Sequence, residues 1–382
     1  MAVFYLLTYL VCFCYVLLML AYLIGWIKTP ARLLKLPTSN SPKESLGTEF
    51  QTKVSVIIPA RNEEKNILNC LSSLYRQTCP VNNFEIIVVD DHSSDRTAEF
   101  IYQLDIPNLK LIQLSENKKG KKQALAEGIK NAGGNLIITT DADCEAGEKW
   151  ISSIVSFYEK EKPKMIVAPV LLANENSLSE IFQSQEMTVL TASAGASLYY
   201  NLPILCSGAN LIYEKEAFIS VNGFEGVERT ATGDDIFLML KMNKKFPKQI
   251  AYLKSTDAVV FTRPKKHSPD AWKQRKRWAS KTFHYGFSPV MWVAVLVFLA
   301  NFFILLSVIL SIINVKFVPA LITALPIKCM VDYMLYHSAS SFFRKRNHPL
   351  IFVLASCIYP VYAGIIGLIS PFTNYSWKGR TS

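Results

Sequence analysis

Residues 3 to 27 read VFYLLTYLVCFCYVLLMLAYLIGWI, a run without one charged side chain. It is long enough to cross a hydrocarbon core of about 30 Å as a single helix. A secretory leader would carry a basic residue before the run and a small-residue cleavage site after it. Neither is present, and Lys28, Arg32 and Lys35 follow directly. The segment is expected to be a transmembrane anchor, with its positive flank held in the cytoplasm and the N-terminus outside.

Three more spans are expected at residues 289 to 313, 317 to 336 and 350 to 370, the first and last free of charge. The loop before the last span carries Arg344, Lys345, Arg346 and His348, which places it in the cytoplasm, as does counting crossings from the segment after the first span, on the cytoplasmic side. A tail with Lys378 and Arg380 would then lie outside, against the charge rule. Lys328 and Asp332 fall four apart inside the middle span, where they can neutralise each other on one helix face or mark a substrate path. Half of the 382 residues are hydrophobic and 19% are charged, too apolar a balance for an ordinary soluble enzyme. The net charge of +11 suits nucleic acid, an anionic membrane face or a phosphorylated substrate. Eight scattered cysteines form neither a CxxC pair nor a Cys/His cluster, so a reduced compartment without structural zinc is expected.

Between the apolar ends, a Pro/Ser-rich connector (36 to 50) leads into mixed polarity that runs to about Phe287. Val54 to Ile58 reads as a strand and Glu63 to Arg76 as a helix capped by Asn62. Strands at 84 to 89, 109 to 114 and 135 to 140 alternate with a helix capped by Ser94 and running to about Leu104 and a helix from Gly120 to Ala132. Continuous apolar strands separated by helices predict a parallel sheet covered on both faces, with ligands at the carboxyl ends of its strands.

The acidic residues fall at those ends. Asp90 and Asp91 close the second strand, and Asp141 and Asp143 close the fourth. In extended backbone residues i and i+2 project to one side, so Asp141 and Asp143 can share a Mg²⁺ or Mn²⁺ ion together with substrate phosphates. The run Lys118-Lys-Gly-Lys-Lys122 opens a helix, where ammonium groups and free N–H groups both favour an anion. Thr232-Gly-Asp-Asp-Ile236 puts two carboxylates at a helix start, as a dipole-favoured cap or as a general base. Trp272 to Trp278, followed by Lys281, is basic and aromatic, as an interfacial helix would be.

In order along the chain, V-S-V-I-I-P-A-R-N-E, V-V-D-D, the Gly-Lys helix start, T-D-A-D, C-S-G-A-N, G-D-D and Q-R-K-R-W resemble the motifs of membrane-integrated family 2 glycosyltransferases, over roughly Lys53 to Lys281. That group includes cellulose, chitin, hyaluronan and poly-N-acetylglucosamine synthases and ceramide glucosyltransferase. The resemblance implies an α/β GT-A fold with one transmembrane helix before it and three after, a nucleotide-sugar donor, usually a UDP-sugar, and inverting transfer. Pro59, Ala60 and Glu63 resemble the nucleotide-base pocket, and Asp91 the aspartate on base or ribose. Lys121 would touch the diphosphate, and Asp143 with Asp141 would hold the metal. Cys206 to Asn210, with Ser207 and Gly208, resembles the acceptor-lining segment. Asp235 resembles the catalytic base, with Asp234 beside it. Gln274, Arg277 and Trp278 match QxxRW, with Arg277 at the diphosphate and Trp278 and Gln274 at the acceptor.

The expected organisation is an anchor (1–28), a linker (29–52), a cytoplasmic GT-A domain (53–262), an interfacial helix (263–288), three spans (289–373) and a tail (374–382). Four spans are fewer than the large polymer synthases use for a secretion channel, and no gating segment resembling theirs is present. A lipid or short lipid-bound glycan at the bilayer surface is therefore the expected acceptor, and export would call on a homo-oligomer or a partner subunit. Membrane lipids are expected partners and nucleic acid is not, because the basic residues cluster at the membrane flank and beside the carboxylates. A bacterial inner membrane is the expected location. Two rivals stand beside this reading. One is a non-catalytic membrane subunit that binds a nucleotide sugar or a partner. The other is a sugar nucleotidyltransferase, which expects a glycine-rich loop where Pro59-Ala-Arg-Asn-Glu63 stands.

Overall fold

A computed structural model describes residues 1–32, 50–226, 233–266, 268–280 and 286–369, with two short terminal strands at 376–377 and 380–381. Lys35, Thr232, Lys281 and Lys378 lie outside these residues. Contacts divide the chain into a helical unit (1–29, 172–205 and 264–382) and a sheet unit (30–171 and 206–263).

The chain opens with α1 (Ala2–Lys28), the uncharged run. The sheet unit then alternates β1 (Val54–Ala60), α2 (Ile67–Tyr75), β2 (Phe84–Asp90), α3 (Thr97–Tyr102), β3 (Leu109–Gln113), α4 (Lys121–Lys130) and β4 (Leu136–Thr139). Next come β5 (Glu145–Ala146), α5 (Trp150–Glu161), β6 (Met165–Val167) and β7 (Val170–Leu172). After α6 (Leu178–Tyr199) follow β8 (Leu211–Glu214), α7 (Lys215–Ser220), α8 (Asp234–Lys245), β9 (Ile250–Tyr252) and β10 (Val260–Thr262).

Seven strands form one sheet in the order β3-β2-β1-β4-β8-β6-β9, and β5-β10-β7 form a smaller one. The sheet is mixed, where all-parallel was expected: β8 runs antiparallel to both β4 and β6. Residue register explains why the site gains from this reversal. Ala60 pairs with Asp90, Ile57 with Thr139, and Thr139 with Leu211. The carboxyl ends of β1, β2 and β4 thus share a rim with the amino end of β8, which brings Ser207 and Gly208 to it.

Both sheet faces are covered. Val56, Ile58, Ile86, Val88 and Ile138 join Leu71, Trp150 and Ile154 in one apolar layer. On the other face Ala124, Leu125 and Ile129 of α4 are buried. Each such aliphatic side chain contributes about 1.5–3 kcal/mol. Gly128 sets the approach of α4, since a Cβ there would lie 2.5 Å from Ile57 Cγ2 and 3.1 Å from Val89 Cγ2.

Two expected caps are absent. Asn62 adopts positive φ and its Oδ1 accepts from the Ser94 N–H at 2.8 Å, so it ties the β1 and β2 loops together while α2 starts later, at Ile67. Ser94 is used in that tie, and α3 begins at Thr97. Short polar side chains in loops satisfy backbone donors wherever the chain crosses, and a local pattern cannot tell that use from capping.

The helical unit holds α1, α6, α9 (Ser268–Ser280), α10 (Pro289–Ile313), α11 (Val318–Phe342) and α12 (Pro349–Ile369). Among the described residues four helical segments, those beginning at Ala2, Pro289, Val315 and Pro349, are long and apolar enough to cross a membrane. Residues 172–205, which polarity alone leaves with the sheet, group with these helices. Small residues allow this: a Cβ on Gly25 of α1 would stand 2.7 Å from Ala196 O of α6. Within the unit, Lys328 and Asp332 pair at 2.6 Å and the Tyr15 hydroxyl donates to Asp332 at 2.7 Å. This is the mutual neutralisation that the spacing allowed.

Candidate active site

The rim of the sheet unit gathers the residues that the sequence scatters. Pro59 and Ala60 end β1 against Val89 and Asp90. The Asp91 N–H donates to Ala60 O at 2.8 Å, and Arg61 Nη1 donates to Asp91 O at 2.9 Å. Glu63 stands in the turn beyond, its Oε2 accepting from Asn66 Nδ2 and its N–H donating to Thr97 Oγ1, both at 2.8 Å. The expected base-pocket residues therefore lie side by side at the ends of β1 and β2. The buried Asp91 carboxylate accepts from the Gly120 N–H at 3.0 Å. That contact fixes the start of α4, where Gly120 takes φ 97°, a conformation that costs glycine little. Asp90 is used structurally, accepting from the Ser93 N–H at 3.2 Å.

Lys121, the first residue of α4, points its ammonium at Asp141 Oδ1, 2.5 Å away. Burial alone would lower its pKa, but Asp141, Asp234 and Asp235 outweigh burial and hold it above the usual lysine value. One ammonium thus faces three carboxylates from two elements. Asp234 and Asp235 form the first turn of α8 behind Gly233, which sits at φ 92°. Asp235 uses both oxygens: Oδ1 accepts from Ile236 N at 2.9 Å and Oδ2 from Gly208 N at 3.1 Å. Gly208 is held in turn by Thr139 Oγ1, which donates to its carbonyl at 2.8 Å. A Cβ on Gly208 would stand 3.7 Å from both Asp235 Cβ and Lys121 Nζ, so this turn lies directly on the cluster. Ser207 opens the turn, its Oγ accepting from Ala209 N.

One geometric premise fails. Strand β4 ends at Thr139, and Cys144 N donates to Asp141 O at 3.0 Å, so Asp141 to Cys144 is a turn and the alternation of extended chain does not apply. Asp141 faces Lys121, while Asp143 Oδ1 accepts from the Cys144 thiol at 3.7 Å. Among the described residues no three His, Cys, Asp or Glu side chains form a ready-made metal cage. The charge balance nonetheless fits a divalent cation, because hard carboxylate oxygens exceed the single ammonium, and Mg²⁺-type ions are held by one or two carboxylates plus substrate phosphates.

Asn210, the last residue of the C-S-G-A-N motif, has a structural role that the motif does not reveal. Fully buried, it accepts from Trp150 Nε1 at 3.1 Å and donates to Pro169 O and Ala258 O, both at 2.8 Å. It locks the turn that carries Ser207 and Gly208 to the core. Gln274, Arg277 and Trp278 lie on α9 in the helical unit. There Gln274 Oε1 accepts from Arg275 Nη1 at 3.1 Å, and the Trp278 ring lies 5.0 Å from the Arg275 guanidinium.

Residues 55–221 match the glycosyl transferase family 2 model. A Pyrobaculum calidifontis mannosyltransferase, solved with GDP-mannose and Mn²⁺, superposes at TM-score 0.56 and 18% identity over 96% of this chain and 99% of that one. Residues 55–221 are thus similar to family 2 glycosyltransferase domains, and the fold is of the GT-A type that this structure shares.

A dolichyl N-acetyl-α-D-glucosaminyl phosphate 3-β-D-2,3-diacetamido-2,3-dideoxy-β-D-glucuronosyltransferase of Methanococcus voltae is 32% identical over 44% of this chain and 50% of its own length. A β-monoglucosyldiacylglycerol synthase of Trichormus variabilis is 26% identical over 59% of this chain and 48% of its own. The chain spans about half the length of these curated relatives.

Proposed function

We propose that the protein is a metal-dependent, inverting glycosyltransferase that moves a sugar from a nucleotide-sugar donor, usually a UDP-sugar, to a lipid or short lipid-bound glycan at the membrane surface. The observation that carries this reading is the convergence of Lys121, Asp141, Asp234 and Asp235 beside the Gly208 turn. In the proposed reaction Asp235 removes the proton from the attacking acceptor hydroxyl. The hydroxyl oxygen bonds to the anomeric carbon as the bond to the diphosphate breaks, in a single displacement. Pro59, Ala60, Glu63 and Asp91 hold the nucleoside. Lys121 and Arg277 take up charge developing on the diphosphate, and Ser207, Gly208, Gln274 and Trp278 receive the acceptor. Asp141 and Asp143 would hold a Mg²⁺ or Mn²⁺ ion, which when bound stabilises the leaving group.

Support for a lipid-type acceptor comes from the names of the two relatives, one acting on a dolichyl phosphate glycan and one forming a glucosyldiacylglycerol. The four apolar helices supply a membrane setting. We assign the sheet unit to the cytoplasm and the spans to an inner membrane, on the basic loop at Arg344 to Arg346.

The test is nucleotide release by the purified full-length protein with Mn²⁺ or Mg²⁺, a panel of UDP- and GDP-sugars, and lipid extract present or absent. Release with one donor, stimulated by extract and stopped by chelation, is expected. Asp235→Asn should abolish transfer and leave donor affinity within about threefold, because removing a base leaves ground-state binding intact. Retained turnover in that variant would remove Asp235 as the base.

A further inference from the structure

We propose that Glu186 and Arg275 are positioning residues that fix the interfacial helix α9 in the orientation transfer requires. This rests on the reading of Gln274 and Trp278 given above. Arg275 lies between the two QxxRW residues and is 6% exposed. Its Nε and Nη2 donate to Glu186 Oε2 of α6 at 2.9 and 2.5 Å. Its remaining donor, Nη1, reaches Gln274 Oε1 at 3.1 Å, and its planar face lies 5.0 Å from the Trp278 ring. One guanidinium thus links a carboxylate on α6 to both assigned acceptor residues on α9.

A second tie lies one turn away on α6. Gln183, at i−3 from Glu186 and 2% exposed, donates from Nε2 to Lys265 O and accepts from Lys265 N, each at 3.0 Å. The strand of chain entering α9 and the helix itself are therefore held by two side chains on one face of α6. Trp272 packs on Tyr362 and Phe182 on both Tyr359 and Tyr362, and the two charged side chains are themselves little exposed, Arg275 at 6% and Glu186 at 11%.

Stability is a poor reason to place an ion pair there, because desolvating two charges offsets most of their attraction and an apolar pair would pack as well. What the pair supplies is direction. The guanidinium fork presents fixed donors in one plane, which lysine cannot reproduce.

The test is a double-mutant cycle on the full-length protein, with lipid extract as acceptor source and the donor chosen by the release panel. Glu186→Gln and Arg275→Lys are each expected to lower transfer kcat by about 10- to 100-fold and raise the half-saturating extract concentration. Donor affinity should stay within about threefold. In a Gln274→Ala/Trp278→Phe background, chosen to leave measurable turnover, either change should cost less than about threefold more, since coupled residues are non-additive. A full, additive loss in that background overturns positioning and leaves the function of α9 intact. Wild-type turnover in the Gln274→Ala/Trp278→Phe protein itself overturns the reading of α9, and this inference with it. Should Glu186→Gln fail to fold, Arg275→Lys, which keeps the charge, decides by the same comparison.

Discussion

At the scale of single residues, Lys121 neutralises a cluster of carboxylates, and in the proposed reaction it also offers its charge to the donor diphosphate. Lys121→Met should lower kcat/KM by about a hundredfold or more, the cost of losing one preorganised charge at a developing anion, as steady-state kinetics would show. The sign of its linkage is clear. A lysine raised above its ordinary pKa adds stability below the unfolded value and loses it as pH climbs through the folded one. Thermal unfolding should therefore show the Lys121 contribution fully present and unchanged between about pH 6 and about pH 9, with loss only at more alkaline pH. Asn210 is a different case, buried and tied to three partners. Asn210→Ala takes the side-chain partner from Trp150 Nε1 and Ala258 O, leaves Pro169 O with the Val260 N–H, and should cost about 2–4 kcal/mol in denaturant titration.

At the scale of elements, β1, β2 and α4 were legible because their signals are local: the two strands are continuous apolar runs, and the buried residues of α4 recur within a few positions. Asp141 and Asp143 were legible as candidates by type and not by geometry, because the turn at 141–144 is set by a backbone bond that residue identity does not announce. Asn210 was legible as a motif position and not by its role, and Glu186 was silent, since Trp150 and Arg275, their partners, stand 60 and 89 residues away. The reversal of β8 escaped for the same reason: strand direction is decided by which neighbour a segment meets. Gly128 is the element-scale test of the α4 seat. Gly128→Val drives new atoms into Ile57 and Val89 and should destabilise the protein by about 1–3 kcal/mol, read as a lowered unfolding midpoint.

At the scale of the whole molecule, the sheet unit is built from two separated stretches, with α6 intervening. The polarity pattern marked the four apolar helices and missed α6, whose small residues serve packing without making it hydrophobic. The proposed orientation has a direct check. A cysteine at position 346, in a protein stripped of its other exposed thiols, should react with an impermeant maleimide in inverted vesicles and not in intact cells. The opposite pattern would reverse the assignment.

The reversed strand also governs when the rim exists. Thr139 and Leu211 are register partners, yet 72 residues separate them along the chain. Pairs so far apart close slowly, because the intervening segment must give up its freedom first. A chain emerging from the ribosome can build β1, β2 and β4 early, while Gly208 and Asp235 arrive only after the middle of the molecule has been made. Completion of the site thereby serves as a timer, expected in pulsed hydrogen exchange as protection at Gly208 that lags protection at Ile57.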